Sequence, residues 1–129
     1  MEGTVSYRII LAVVVVLVSV SIIGVRAADV SGRWTASFTT EVGEQQYTYE
    51  FVVKGTTLTG TAKGSLTGVS PIVEGKVEGE TITFVENASF MEMPLRITYK
   101  GKMTSADEIQ FERNVADVAT EKLVAKRAK

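Results

Sequence analysis

The stretch Val30-Ser-Gly-Arg-Trp-Thr-Ala-Ser-Phe38 (VSGRWTASF) decides the fold, because its large apolar residues alternate. Trp34, Ala36 and Phe38 share one parity, while Arg33, Thr35 and Ser37 share the other. A period of two is the mark of a strand with one buried face. The same pattern returns along the chain. Tyr47, Tyr49, Phe51 and Val53 alternate in QYTYEFVV, and Leu58 with Ala62, Val73 with Val77, and Ile82 with Phe84 repeat it in shorter pieces. The longest series is Met91, Met93, Leu95, Ile97 and Tyr99, set against Glu92, Arg96, Thr98 and Lys100. Ile109 and Phe111, with Arg113 on the same parity, form another. The Thr, Val, Tyr and Phe content suits a pleated, half-buried surface.

Turn chemistry separates these pieces: KGTT at Lys54–Thr57, EGE at Glu78–Glu80, ENAS at Glu86–Ser89 and TSAD at Thr104–Asp107. Gly, Asn and Asp supply the backbone conformations that tight turns need. Strands spaced at roughly ten residues, with no room for crossover helices, exclude β-α-β units. The predicted fold is all-β, an antiparallel up-and-down meander of about eight strands, the number at which a small barrel closes. The ending VADVATEKLVAKRAK reads either as a helical tail or as a turn at Val115–Ala119 followed by a strand from about Thr120 to Arg127. The strand is preferred, since a last strand pairing with the first removes the open edges that invite aggregation. Pro94 cannot donate to a ladder and predicts an edge or bulge. Gly60, Gly64 and Gly68 predict a strand that coils strongly into a loop.

The apolar run Ile9–Ile23 follows Arg8 and leads to Val25 and Ala27, the small residues of a cleavage site before Ala28. It is shorter than the roughly 20 residues of a membrane span. Charged start, apolar middle and small-residue exit describe a secretory signal peptide over residues 1–27. Residues 28–129 are then a single β-barrel domain, secreted or periplasmic, touching membrane only through the signal peptide before cleavage. A domain of about 100 residues has one core with little to spare. The chain has no cysteine, so the exported domain carries no disulfide, which leans towards bacterial export. Without Glu2, Arg8 and Arg26 the acidic groups outnumber the basic ones by two, against nucleic acid as a partner.

The chain also has no histidine. The usual general base, thiol nucleophile and most transition-metal ligands are therefore missing, and no catalytic residue, cofactor or metal is assigned. Glu74, Glu78, Glu80, Glu86 and Glu92 are the remaining chemistry. A pair of them in the right geometry would serve glycoside hydrolysis, whereas Glu74, Lys76, Glu78 and Glu80 also read as the outward face of a hairpin. The inward set is Tyr47, Tyr49, Phe51, Met91, Met93, Tyr99 and Met103. Tyr offers an apolar body with a polar tip and Met a flexible one, so these are the ligand-lining candidates. So short a chain favours a filled core over a hollow one.

Gly32 and Trp34, entering the first strand of a secreted meander, resemble the Gly-x-Trp opening of the lipocalin and avidin group of barrels, and TLTGTA at Thr57–Ala62 looks like an early avidin strand. The lipocalin Thr-Asp-Tyr motif and the later avidin tryptophans are absent, so no ligand residue carries over. The resemblance implies that Trp34 plugs one end of the barrel behind Gly32, with Arg113 or Arg127 packed across it. The ending EIQFERNVADVATEKLVAKR is similar to small uncharacterised exported bacterial β modules, some labelled glycoside hydrolase by gene context. The expected function is an exported barrel that binds a small apolar or sugar-like ligand or a partner. A carbohydrate-active enzyme or accessory domain using paired Glu residues is one alternative, and a structural envelope protein is the other.

Overall fold

A computed structural model describes residues 29–129; the expected signal peptide and its cleavage site lie outside the described residues. Eight strands follow one another with no helix between them: β1 Gly32–Thr40, β2 Gly43–Lys54, β3 Thr57–Gly64, β4 Gly68–Glu78, β5 Thr81–Phe90, β6 Met93–Ser105, β7 Glu108–Val115 and β8 Ala119–Arg127. Each pairs antiparallel with the next, and β1 returns to β8 to close the barrel. The chain ending is thus a closing strand, not a helix. Its inward residues Leu123 and Ala125 are buried, because a paired strand hides on one face the apolar residues that a lone amphipathic helix would leave uncovered.

Two strands depart from simple alternation. In β4 the ladder slips between Val73 and Lys76, where Glu74 takes φ 54°. This extra residue moves the inward position to Ile72, which is buried, and leaves Val73 half-buried. In β3 the register shifts beside Gly60, which has φ 145°. A Cβ there would run into the Glu50 carbonyl of β2. Only glycine permits so close a backbone approach, and the bend it allows is what a barrel this narrow requires. The glycine-rich stretch is therefore two strands joined by a turn at residues 65–67, more ordered than a coiled loop.

The ENAS turn is not formed. Glu86–Ser89 lies inside β5, with Glu86 and Ala88 pointing inward, and the chain reverses at Met91 and Glu92 instead. Both of these residues have positive φ, 52° and 66°, the twist that a two-residue hairpin needs. The displaced turn also corrects the longest alternation. Met91 is 81% exposed in the turn and Met93 is 69% exposed, since β6 begins above the rim, where there is no interior to enter. Pro94 sits on this overhang. Ala116 N donates to the carbonyl of Arg96, so residues of that parity face β7, whose pairing starts only at Ile97 with Val115. The missing N–H of Pro94 falls on a locally free edge.

The core is an aromatic column. Tyr49 packs edge-on against Tyr99, Phe84 stacks on Tyr99 at 4.3 Å, and Phe111 meets both Phe84 and Tyr99 edge-on. Below it, Trp34 is fully buried and donates from Nε1 to the carbonyl of Val30 at 2.9 Å. The Arg127 guanidinium lies 4.4 Å from the Trp34 ring and donates to the carbonyls of Ser31, Asp29 and Ala106. Gly32, at φ 127°, leaves the space that Arg127 occupies.

Candidate functional site

The end away from Trp34 is open. A cavity of about 290 Å³ lies inside the mouth formed by the β1–β2, β3–β4 and β7–β8 turns. Its walls are apolar: Leu66, Phe90, Leu95, Ile97, Val115 and Val118. Its polar groups are few and converge at Gln45, Tyr47, Thr67, Arg113 and Glu121. An apolar enclosure with a few convergent polar groups is the usual form of a ligand pocket, and this volume falls just below the roughly 300–1,000 Å³ that such pockets usually have. A larger, wide-open hollow of about 1210 Å³ follows β6–β8 beside β1, at the seam where β1 and β8 are unpaired, and touches interior residues such as Phe38, Phe111 and Arg113. Its edge residues include Lys100, Lys102, Glu112 and Lys122, all exposed, and it encloses little.

Arg113 forms the floor. It is buried, and its Nε donates to Glu121 Oε1 at 2.7 Å, its Nη1 to the Tyr99 hydroxyl at 3.0 Å and its Nη2 to Gln45 Oε1 at 3.2 Å. The guanidinium also lies over the rings of Phe38, at 4.7 Å, and Tyr47, at 5.0 Å. Burial works against this cation, but the hydroxyls of Tyr99 and Tyr47 outweigh it and hold its pKa above the ordinary value. Arg113 thus belongs to the open end, and Arg127 is the arginine packed across Trp34.

Beneath Arg113 lies a fully buried carboxylate. Glu86 accepts from the Tyr99 hydroxyl at 2.8 Å and from the Tyr47 hydroxyl at 3.1 Å. Tyr99 accepts in turn from Tyr49 at 3.0 Å, and Tyr47 from Thr67 at 3.1 Å. Burial pushes the Glu86 carboxyl above the usual carboxylate range, opposed by the hydrogen bonds from Tyr99 and Tyr47 and by Arg113. Burial likewise raises Tyr49 and Tyr99 well above the ordinary phenol value. Among the described residues no buried side-chain polar atom lacks a partner, so this network is satisfied throughout.

Of the ligand-lining candidates, only Tyr47 reaches the cavity. Tyr49, Phe51 and Tyr99 are packed into the aromatic column. Met103 is half-buried against the core from the last part of β6. Met91 and Met93 are on the outer rim. The acidic residues are not brought together. Glu74 pairs with Arg96 and Glu78 with Lys76 on the exterior, Glu80 and Glu92 are exposed in turns, and only Glu86 is inside. Sequence reading missed the burial of Glu86, although a signal was present. Ile82, Phe84, Glu86 and Ala88 share one parity in TITFVENASF.

No family model matches this chain, and no curated protein does. Two solved structures are similar to it in fold. The structure of EF1p2_mFAP2b bound to DFHBI aligns over 76% of this chain and 93% of its own, with a TM-score of 0.57 and 17% identity. A redesigned β-barrel aligns over 81% of this chain and 96% of its own, with a TM-score of 0.62 and 20% identity. At these identities the likeness concerns the barrel alone, and the barrel is the architecture that the lipocalin and avidin resemblance implies.

Proposed function

We propose that this protein is an exported binding barrel that takes one small, largely apolar molecule into the mouth cavity. The observation that carries the reading is the cavity itself, apolar walls above a buried Arg113 whose partners are all in place. A barrel filled to both ends would have no such space. That a barrel of similar fold is bound to a small molecule, DFHBI, is in keeping with it. The export part rests on the apolar run Ile9–Ile23 and the small residues before Ala28. It is tested by the N-terminal mass of protein recovered from outside the cytoplasm, where a start at Ala28 is expected.

The cavity is tested with 1-aminoanthracene, an uncharged fluorophore. The expected result is a saturable rise in fluorescence that Leu95→Trp abolishes while the barrel still unfolds cooperatively. No saturable rise, or one that Leu95→Trp leaves unchanged, overturns the reading.

A further inference from the structure

The cavity floor also restricts the ligand's chemistry, an inference that rests on the binding reading above. The geometry points to a ligand with an apolar body and an uncharged head that both accepts and donates hydrogen bonds, such as a carboxamide or hydroxyl. Arg113 has five N–H hydrogens, and three of them go to Glu121, Tyr99 and Gln45. A fourth is within hydrogen-bonding reach of the Tyr47 hydroxyl, which leaves one on a residue that lines the cavity. Glu121 also lines it, is only partly exposed, and gives one carboxylate oxygen to Arg113 Nε. Its second oxygen remains an acceptor. The floor therefore offers a donor and an acceptor side by side from an ion pair whose own charges already balance.

An ionic head fits this floor badly. A carboxylate would gain the Arg113 donor but meet the Glu121 carboxylate, with Glu86 buried behind. An ammonium would gain Glu121 but meet the Arg113 cation. In either case a charge leaves water without a partner of its own, and burial of an unpaired charge is strongly unfavourable. A carbonyl or hydroxyl oxygen can instead take an Arg113 N–H while the amide or hydroxyl hydrogen reaches Glu121, and no net charge is buried. The alkyl or aryl body then lies against Leu95, Ile97 and Val115.

The test displaces 1-aminoanthracene with four probes of one chain length: decanamide, methyl decanoate, decanoate and decylammonium. Decanamide is expected to displace best. Methyl decanoate, which accepts but cannot donate, is expected to be several-fold weaker, and the two ions weaker than decanamide by at least about tenfold. Any apolar pocket disfavours ions, so Glu121→Gln supplies the specific readout. With the floor anion removed and Arg113 unbalanced, decanoate should gain at least about tenfold relative to decanamide. Decanoate or decylammonium matching decanamide in the wild type, or an unchanged ratio in Glu121→Gln, overturns the inference and leaves the binding reading standing. Absence of any saturable 1-aminoanthracene binding removes both.

Discussion

The two ends of this barrel are built on different principles. At the closed end Trp34 is buried beneath Arg127, which ties together the backbone of Asp29, Ser31 and Ala106. There β1 and β8 are in register, Trp34 with Arg127 and Thr35 with Lys126. At the open end that pairing stops, and Ser37 and Thr39 of β1 have no ladder partners on β8. The hairpin turns differ in the same sense. Two closed-end turns place glycine at positive φ, Gly55 and Gly79, whereas two open-end turns place Met91, Glu92, Ala116 and Asp117 there, the other two open-end turns using Gly43 and Gly68. Val42, Leu66, Met91 and Val118 stand exposed on the four open-end turns. One end spends its sequence on stability, and the other accepts strain and exposed apolar surface around a cavity.

The largest effect is expected at the plug. Trp34→Ala should cost about 3–5 kcal/mol, as large aromatic truncations in a core do, measured by urea denaturation. A loss below about 1 kcal/mol would mean that the closed end can collapse around the gap. Next is the seam. By strand alternation the N–H groups of Ser37 and Thr39 on β1, and of Thr120, Lys122 and Val124 on β8, face one another without pairing. Their amides should exchange with solvent through local opening, while Thr35 and Lys126 exchange only with much larger openings. Equal protection along the seam, measured by native-state hydrogen exchange, would erase the difference between the ends.

Glu86 provides a pH test. Its folded pKa is raised, so the folded state holds the proton more tightly than the unfolded state does. Between the ordinary carboxylate value and the raised one the folded chain binds more protons, and the group's contribution to stability falls as pH rises through that window. Glu86→Gln should remove this slope while keeping an acceptor for Tyr99. A pH profile of unfolding that is the same in both proteins would show that Glu86 does not titrate differently in the two states.

What the sequence disclosed follows from which interactions are local. Strand parity is local, so β1, β2, β7 and the closing strand were legible from Trp34, Tyr49, Phe111 and Leu123 alone. Where one extra residue at Glu74 flips the parity, the alternation points Val73 inward in place of Ile72, because a bulge is set by the neighbouring strand. The Met91 and Met93 assignment failed for a related reason. Parity tells which way a side chain points but not where the barrel wall ends. The site was less legible still. Strand parity puts Arg113 on the inward face, but that it meets Gln45, Tyr99 and Glu121 depends on β2, β6 and β8 converging. Asparagine and serine after Glu86 looked like a turn, and that reading concealed the buried carboxylate.

The smallest effect concerns the turns. Met91 and Glu92 both occupy left-handed backbone, which costs an L-residue other than Gly, Asn or Asp roughly 1–2 kcal/mol. Replacing the pair by Asn-Gly, the sequence that such two-residue hairpins favour, should stabilise the barrel by about 1 kcal/mol in urea denaturation. The matching change at the closed end runs the other way, since Gly79→Ala would force a side chain into φ 59° and should destabilise. Neither Met91 nor Glu92 lines the cavity, so the Asn-Gly variant should bind 1-aminoanthracene as the wild type does. A stabilised variant with weakened binding would show instead that the strained turn and its exposed methionine belong to the mouth, and that the strain is kept for binding.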